Sequence, residues 1–425
     1  MSYENSLAFA QQMDADDPLK DYRGQFHMPQ VNGKDCYYFT GNSLGLQPKT
    51  VRAYVEEELK GWETLGVEGH FEAHSKPWAA YHKFSKEALA QLVGARPLEV
   101  VSMNALTVNL HLLMVSFYRP TESRYKIICE AGAFPSDQYM FESQLKFHGL
   151  NPDEALIELA PRAGENTLRH EDIEQAIRDC GDQLALVMMG GVQYYTGQYF
   201  NLPAITKVAH EVGALAGFDL AHAFGNVPLS LHDWEVDFAT WCSYKYLNSG
   251  PGNVSGIYVH ERFANETDLP RFAGWWGHNE GERFLMKKGF QPMPGADGWQ
   301  LSNVNVIATA AHLASLEIFH KVGMEALRAK SLKLTAFMES VVNELSGSEG
   351  IFEIITPAEP ANRGCQLSIF CHKNGKALFD ALTAEGVIAD WREPNVIRVA
   401  PVPLYNTFED VYHFGRILKE ALTSM

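Results

Sequence analysis

Paired cysteines, excess basic charge and long apolar runs are what this sequence lacks. Six cysteines occur in 425 residues, and Cys36, Cys129, Cys180, Cys242, Cys365 and Cys371 include no CxxC pair. That spacing neither staples a secreted scaffold nor builds a zinc knuckle, and it fits reduced thiols in a cytoplasmic protein. Lys and Arg number 35 against 52 Asp and Glu, a formal net charge of -17. The basic residues are scattered, so the electrostatic footprint of a nucleic-acid partner is missing. No apolar run reaches spanning length and the acidic N-terminal stretch has no apolar core, so neither membrane insertion nor export is expected. Internal repeats and low-complexity tracts are also absent.

What is present is an ordinary globular composition, 46% hydrophobic and 20% charged, on a chain too long for one core. Between about 80 and 320, short apolar runs alternate with amphipathic helical stretches, which predicts an α/β layer with a mostly parallel sheet and helices on both faces. Tyr125 to Cys129, Leu184 to Met189, Ala214 to Phe218, Val236 to Cys242 and Gly256 to His260 read as strands; 172–180 and 202–212 read as helices. A helix over 306–320 leads into a smaller α+β unit with strands at 366–371 and 396–400. The expected division is 1–70 as an N-terminal segment partly joining the small domain, 71–310 as the large domain and 311–425 as the small one. The first forty residues look loosely tied.

Three motifs invite other readings. Gly41-Asn42-Ser43-Leu44-Gly45 matches a nucleophile elbow, but an elbow serine tops a sheet already several strands long and only forty residues precede this one. The better reading is a glycine-rich turn that places polar groups such as Ser43 beside a pocket. Gly250 to Gly256 resembles a dinucleotide loop with one residue too many, and it precedes a strand. His70 and His74 have helical metal-pair spacing but sit beside Gly66 and Gly69 with no third ligand, so no metal is expected.

The remaining chemistry converges. Asp219 ends a predicted strand, at the edge where open α/β sheets bind ligands. Lys245 follows the next strand in Ser243-Tyr244-Lys245-Tyr246-Leu247. Asn104 to Asn109 opens a helix whose amides and Thr107 hydroxyl can hold phosphate, and Phe134-Pro135-Ser136-Asp137 follows another strand, with an aromatic ring placed to stack. A lysine for a Schiff base, an acid for a pyridine nitrogen and donors for a phosphate are the needs of pyridoxal 5'-phosphate (PLP).

The segments YFTGNSLGLQP (38–48), FPSD (134–137), GVQYYTGQYFNLPAIT (191–206), GFDLAHAFGN (217–226), SYKYLN (243–248), GWWGH (274–278), SNVNV (302–306), RGCQLS (363–368) and RVAPVPLYN (398–406) resemble the kynureninase family of fold type I, class V PLP enzymes. The resemblance implies PLP on Lys245, Asp219 at the ring nitrogen and His222 beside the cofactor. Leu106, Thr107, Phe134, Ser136, Asp137 and Tyr244 match positions around ring and phosphate, and Tyr244 is the candidate proton donor. Trp275 and Asn303 match residues supplied across a homodimer interface, and Arg398 matches the grip on the substrate carboxylate. Ser43, His70, His278 and Asn303 would meet the substrate, kynurenine or 3-hydroxykynurenine, and the His70 and Asn303 pair leans toward the hydroxylated one. Gly190 departs from relatives that carry serine there, which would trim phosphate binding. Within class V the alternatives are a cysteine desulfurase, for which Cys365 is the one candidate nucleophile, and an aminotransferase. A non-catalytic scaffold would be marked by loss of Lys245 or Asp219, and both are present.

Overall fold

The computed structural model describes residues 3–72, 76–347 and 350–424. His74 lies outside them, so of the two spaced histidines only His70 has a described position.

A seven-stranded sheet organises the larger part. In spatial order its strands are Val100–Ser102, Gly256–Val259, Phe238–Trp241, Leu215–Asp219, Leu184–Gly190, Lys126–Glu130 and Leu156–Leu159. The pairings from Phe238–Trp241 to Leu156–Leu159 are parallel, and only Gly256–Val259 runs against its neighbours. Apolar residues fill both faces, as helical cover on both sides requires. Leu186 and Met188 enter one core cluster while Val187 and Met189, one step out of phase, enter another. Strand order reverses between Lys126–Glu130 and Leu184–Gly190, which opens a crevice at the carboxyl ends of the parallel strands. The predicted strands and helices form, including Leu202–Glu211 and Val306–Val322. The sequence pattern did not mark Val100–Ser102 or Leu156–Leu159, which are too short to display a period.

A second, antiparallel sheet holds Phe352–Ile354, Leu367–Cys371, Val396–Val399 and Asp390–Arg392 in that order. Helices Met324–Ser346 and Phe408–Ser424 pack with it around a third core cluster that includes Ala10 and Phe39. Here the expectation for the first forty residues is corrected. Tyr37–Tyr38 pairs in parallel with Val387–Ile388. Asp14 accepts the Phe408 and Glu409 amides at 2.8 and 2.9 Å, capping the last helix. Asp17 forms a buried ion pair with Lys330 at 2.7 Å. The segment is anchored by partners remote in sequence, which local periodicity cannot reveal.

Candidate active site

Leu215–Asp219 is a buried strand, and its register delivers the Asp219 carboxylate to the crevice, 7% exposed, with Oδ1 accepting the Ala221 amide at 2.8 Å. The chain then turns through His222. Lys245 arrives from the loop after Phe238–Trp241 and sets its Nζ 2.9 Å from His222 Nε2 and 5.7 Å from the Phe134 ring centroid. Gly45 braces that loop: its amide donates to Tyr244 O at 2.8 Å, and a Cβ on it would lie 2.3 Å from Lys245 O. The sequence GNSLG is therefore a turn pressed against the lysine loop, and Ser43 Oγ donates to Asp390 at 2.5 Å.

A cavity of about 260 Å³ collects nine of the sequence-predicted residues: Leu106, Thr107, Phe134, Ser136, Asp137, Asp219, His222, Tyr244 and Lys245. Its charges are sorted by burial. His222 is held well below the usual histidine range by burial and then by the Lys245 charge, so it is neutral. Asp137 is pushed up by burial and by the Asp219 charge. Burial, and next the Cys242 thiol, raise Tyr244, which keeps its proton at neutral pH.

The cavity suits PLP at both ends. Helix Leu106–Phe117 begins after Ala105, which makes no side-chain cap, so its first amides remain available to an anion. Ser255 stands on the same wall, 1% exposed, with its Oγ lacking a partner. At the other end Asp137 Oδ1 and His222 Nδ1 are buried without partners. Unpaired polar atoms at this depth are costly unless a ligand satisfies them.

Arg398 lies outside that lining. It is 1% exposed, donates from Nη1 to Tyr194 O at 2.6 Å and pairs through Nη2 with Asp390, the acid that also holds Ser43. Tyr194 does line the cavity, edge-on to Phe134 at 5.2 Å. Trp275 and His278 line a separate open pocket with Arg283 and Phe290. Trp275 is 48% exposed, and Asn303 is exposed as well. His70 bonds Val67 O at 3.0 Å and meets Trp78 edge-on. Cys365 is buried just ahead of strand Leu367–Cys371, its amide donating to Asn226 Oδ1 at 2.9 Å and its thiol pushed up to about 12 by burial, which makes it a poor nucleophile.

Sequence reasoning missed Glu130, Tyr194, Asn253 and Ser255 among the cavity's polar residues, and Asp390 beside Arg398. Ser255 sits in the loop set aside as a failed dinucleotide motif, and that loop does reach the ligand cavity through Gly252 and Asn253. Glu130 had a signal, an acid ending an apolar strand as Asp219 does.

A curated kynureninase of Flavobacterium psychrophilum is 57% identical to this chain over 99% of both. The chain belongs to the kynureninase family. A Christiangramia forsetii relative is 56% identical over the whole of both chains, and one from Myxococcus xanthus 54% over 98% and 97%. Residues 327–418 match the kynureninase C-terminal domain. Among solved structures, a C-DES mutant with glycine covalently linked to its PLP cofactor superposes with a TM-score of 0.77 at 17% identity, over 93% of this chain and 98% of that one. The cysteine desulfurase of Thermococcus onnurineus gives 0.75 at 17%, over 100% and 99%. Those two likenesses show the fold, which is fold type I; the family comes from the curated relatives.

Proposed function

We propose that this chain is a PLP-dependent hydrolase that cleaves the Cβ–Cγ bond of L-kynurenine or 3-hydroxy-L-kynurenine, releasing L-alanine and anthranilate or its 3-hydroxy form. The observation that carries the reading is the convergence of Lys245, Asp219, His222 and an uncapped helix start on one cavity, in a chain more than half identical to curated kynureninases. Bound PLP supplies an electron sink for the substrate α-carbon. Lys245 holds the cofactor and then moves a proton at that carbon. Asp219 would hold the ring nitrogen in its protonated form, and Phe134 would offer an aromatic face to the ring. Water would add to the γ-carbonyl, so that when the Cβ–Cγ bond breaks Cγ leaves as the anthranilate carboxylate and Cβ keeps the electron pair; Tyr244, whose proton is retained at neutral pH, would protonate that carbon. Arg398 takes the substrate carboxylate, exchanging part of its bond with Asp390 for the incoming anion.

Trp275, His278 and Asn303 complete the aryl end only if a second copy brings them to this cavity, so the working form is a homodimer. Half-exposed Trp275, beside Phe284 at 5.4 Å, supports that reading. Six free cysteines favour a reducing, cytoplasmic setting, and the proposed substrates place the reaction in tryptophan breakdown or NAD precursor synthesis. The test is an assay of PLP-loaded protein with both substrates, scoring alanine. One alanine per substrate consumed is expected; a protein that binds PLP and releases no alanine from either would overturn the assignment.

A further inference from the structure

Three neighbouring strand ends carry more acid than the proposed reaction uses. Glu130 ends Lys126–Glu130, Gly190 ends the adjacent strand, and Asp219 stands in register with Gly190 on the strand beyond. The first two flank the point where strand order reverses. Glu130 is 4% exposed and lines the cavity. Both of its carboxylate oxygens lean on one donor, the Gly190 N–H, at 3.1 and 3.2 Å. A carboxylate offers about four acceptor sites, so this one is under-supplied while it shares the cavity with Asp137 and Asp219. Its approach depends on glycine, because a Cβ at position 190 would stand 2.9 Å from Glu130 Oε1.

We propose that Glu130 is a positioning residue for the cofactor ring, acting through Asp219: its charge, admitted to the cavity floor by Gly190, sets how firmly Asp219 keeps a proton on the pyridine nitrogen. The inference rests on the PLP reading above. An ionised Glu130 places a second anion in the cavity beside Asp219, one strand removed, and strengthens its hold on a cation; a protonated Glu130 withdraws that support. Burial is the main influence on Glu130 and raises it to about 7, the Asp219 charge adding to the rise against the pull of the Glu130 and Gly190 amides. The change therefore falls near neutrality. The other titratable groups on this cavity are Asp137 from helix Pro135–Phe147, Tyr194 from the loop after Leu184–Gly190, Asp219 and His222 from the strand end and turn, and Tyr244 and Lys245 from the lysine loop. His222 stays neutral and Tyr244 protonated across that range. The role also moves the consequence of Gly190 from the phosphate to the acid end of the cavity.

The test is a pH titration of the visible absorbance of PLP-loaded wild type, Glu130→Gln and Gly190→Ser, read without substrate. Glutamine keeps the acceptor and removes the charge; serine keeps the charge and pushes the carboxylate back from the Gly190 amide. Both variants should shift the midpoint of the bound cofactor downward, Glu130→Gln by about one pH unit. Midpoints equal to wild type in both variants overturn the proposal while leaving the PLP reading intact. Should Glu130→Gln fail to hold PLP, Gly190→Ser decides alone by the same criterion. A wild type that forms no visible band with PLP removes both.

Discussion

Lys245 is the residue on which most depends, and its replacement separates chemistry from folding. Lys245→Ala should abolish the visible band of bound cofactor and lower kcat/KM by on the order of a thousandfold or more; a variant with ordinary turnover would reassign the lysine. Arg398 calls for a different expectation, since its guanidinium already serves Asp390 and Tyr194. Arg398→Ala should raise KM for the amino acid by about tenfold or more, 1.4 kcal/mol per tenfold, with a smaller change in kcat. An unchanged KM would show that another cation grips the carboxylate. Residue types and their company made Asp219, Lys245 and Phe134 legible from sequence. Asp390 was not legible, because an acid on a short strand acquires its role only when folding brings Ser43 and Arg398 to it.

At the scale of elements, strand and helix positions were readable where apolar runs were long enough to show a period, as in Leu184–Gly190 and Leu202–Glu211. The N-terminal helix Leu7–Ala15 and the pairing of Tyr37–Tyr38 were not, since their meaning lies in contact with residues near 387 and 408. Asp14 gives this a measurable form. It accepts the Phe408 and Glu409 amides while Thr407 Oγ1 accepts that of Asp410, and losing such a cap costs about 1 to 2 kcal/mol. Asp14→Ala should therefore lower the denaturant midpoint with kcat nearly unchanged; an unaltered midpoint would mean that water caps the helix equally well.

For the whole molecule, acid sensitivity follows from histidines buried in the neutral form. Burial, then the Lys86 charge, holds His82 down to about 3, and burial alone does the same for His312. An unfolded histidine titrates near 6.5. The unfolded chain thus binds more protons between those values, and the stability these groups contribute is complete above about 6.5 and lost as pH falls toward 3. Glu130 has the opposite sign. Its folded value is raised, so its contribution is present at low pH and fades as pH rises through about 7. His82→Leu should reduce the loss of Tm between pH 7 and pH 5; equal losses in variant and wild type would remove His82 from the account.

The cap that Asp14 places on the last helix joins residues 394 positions apart. A ribosome adding about 5 to 20 residues per second leaves on the order of half a minute between the two. Phe9 waits for Phe337 and Asp14 for Phe408, so through most of that interval the N-terminal helix lacks its tertiary partners, and Ser43 waits for Asp390 as well. The nascent chain can build its parallel sheet early, yet the substrate end of the site closes only once Asp390 and Arg398 have been made. A ribosome-stalled chain ending before Met324 should therefore lack native protection from proteases over its N-terminal helix, even when its large sheet has formed.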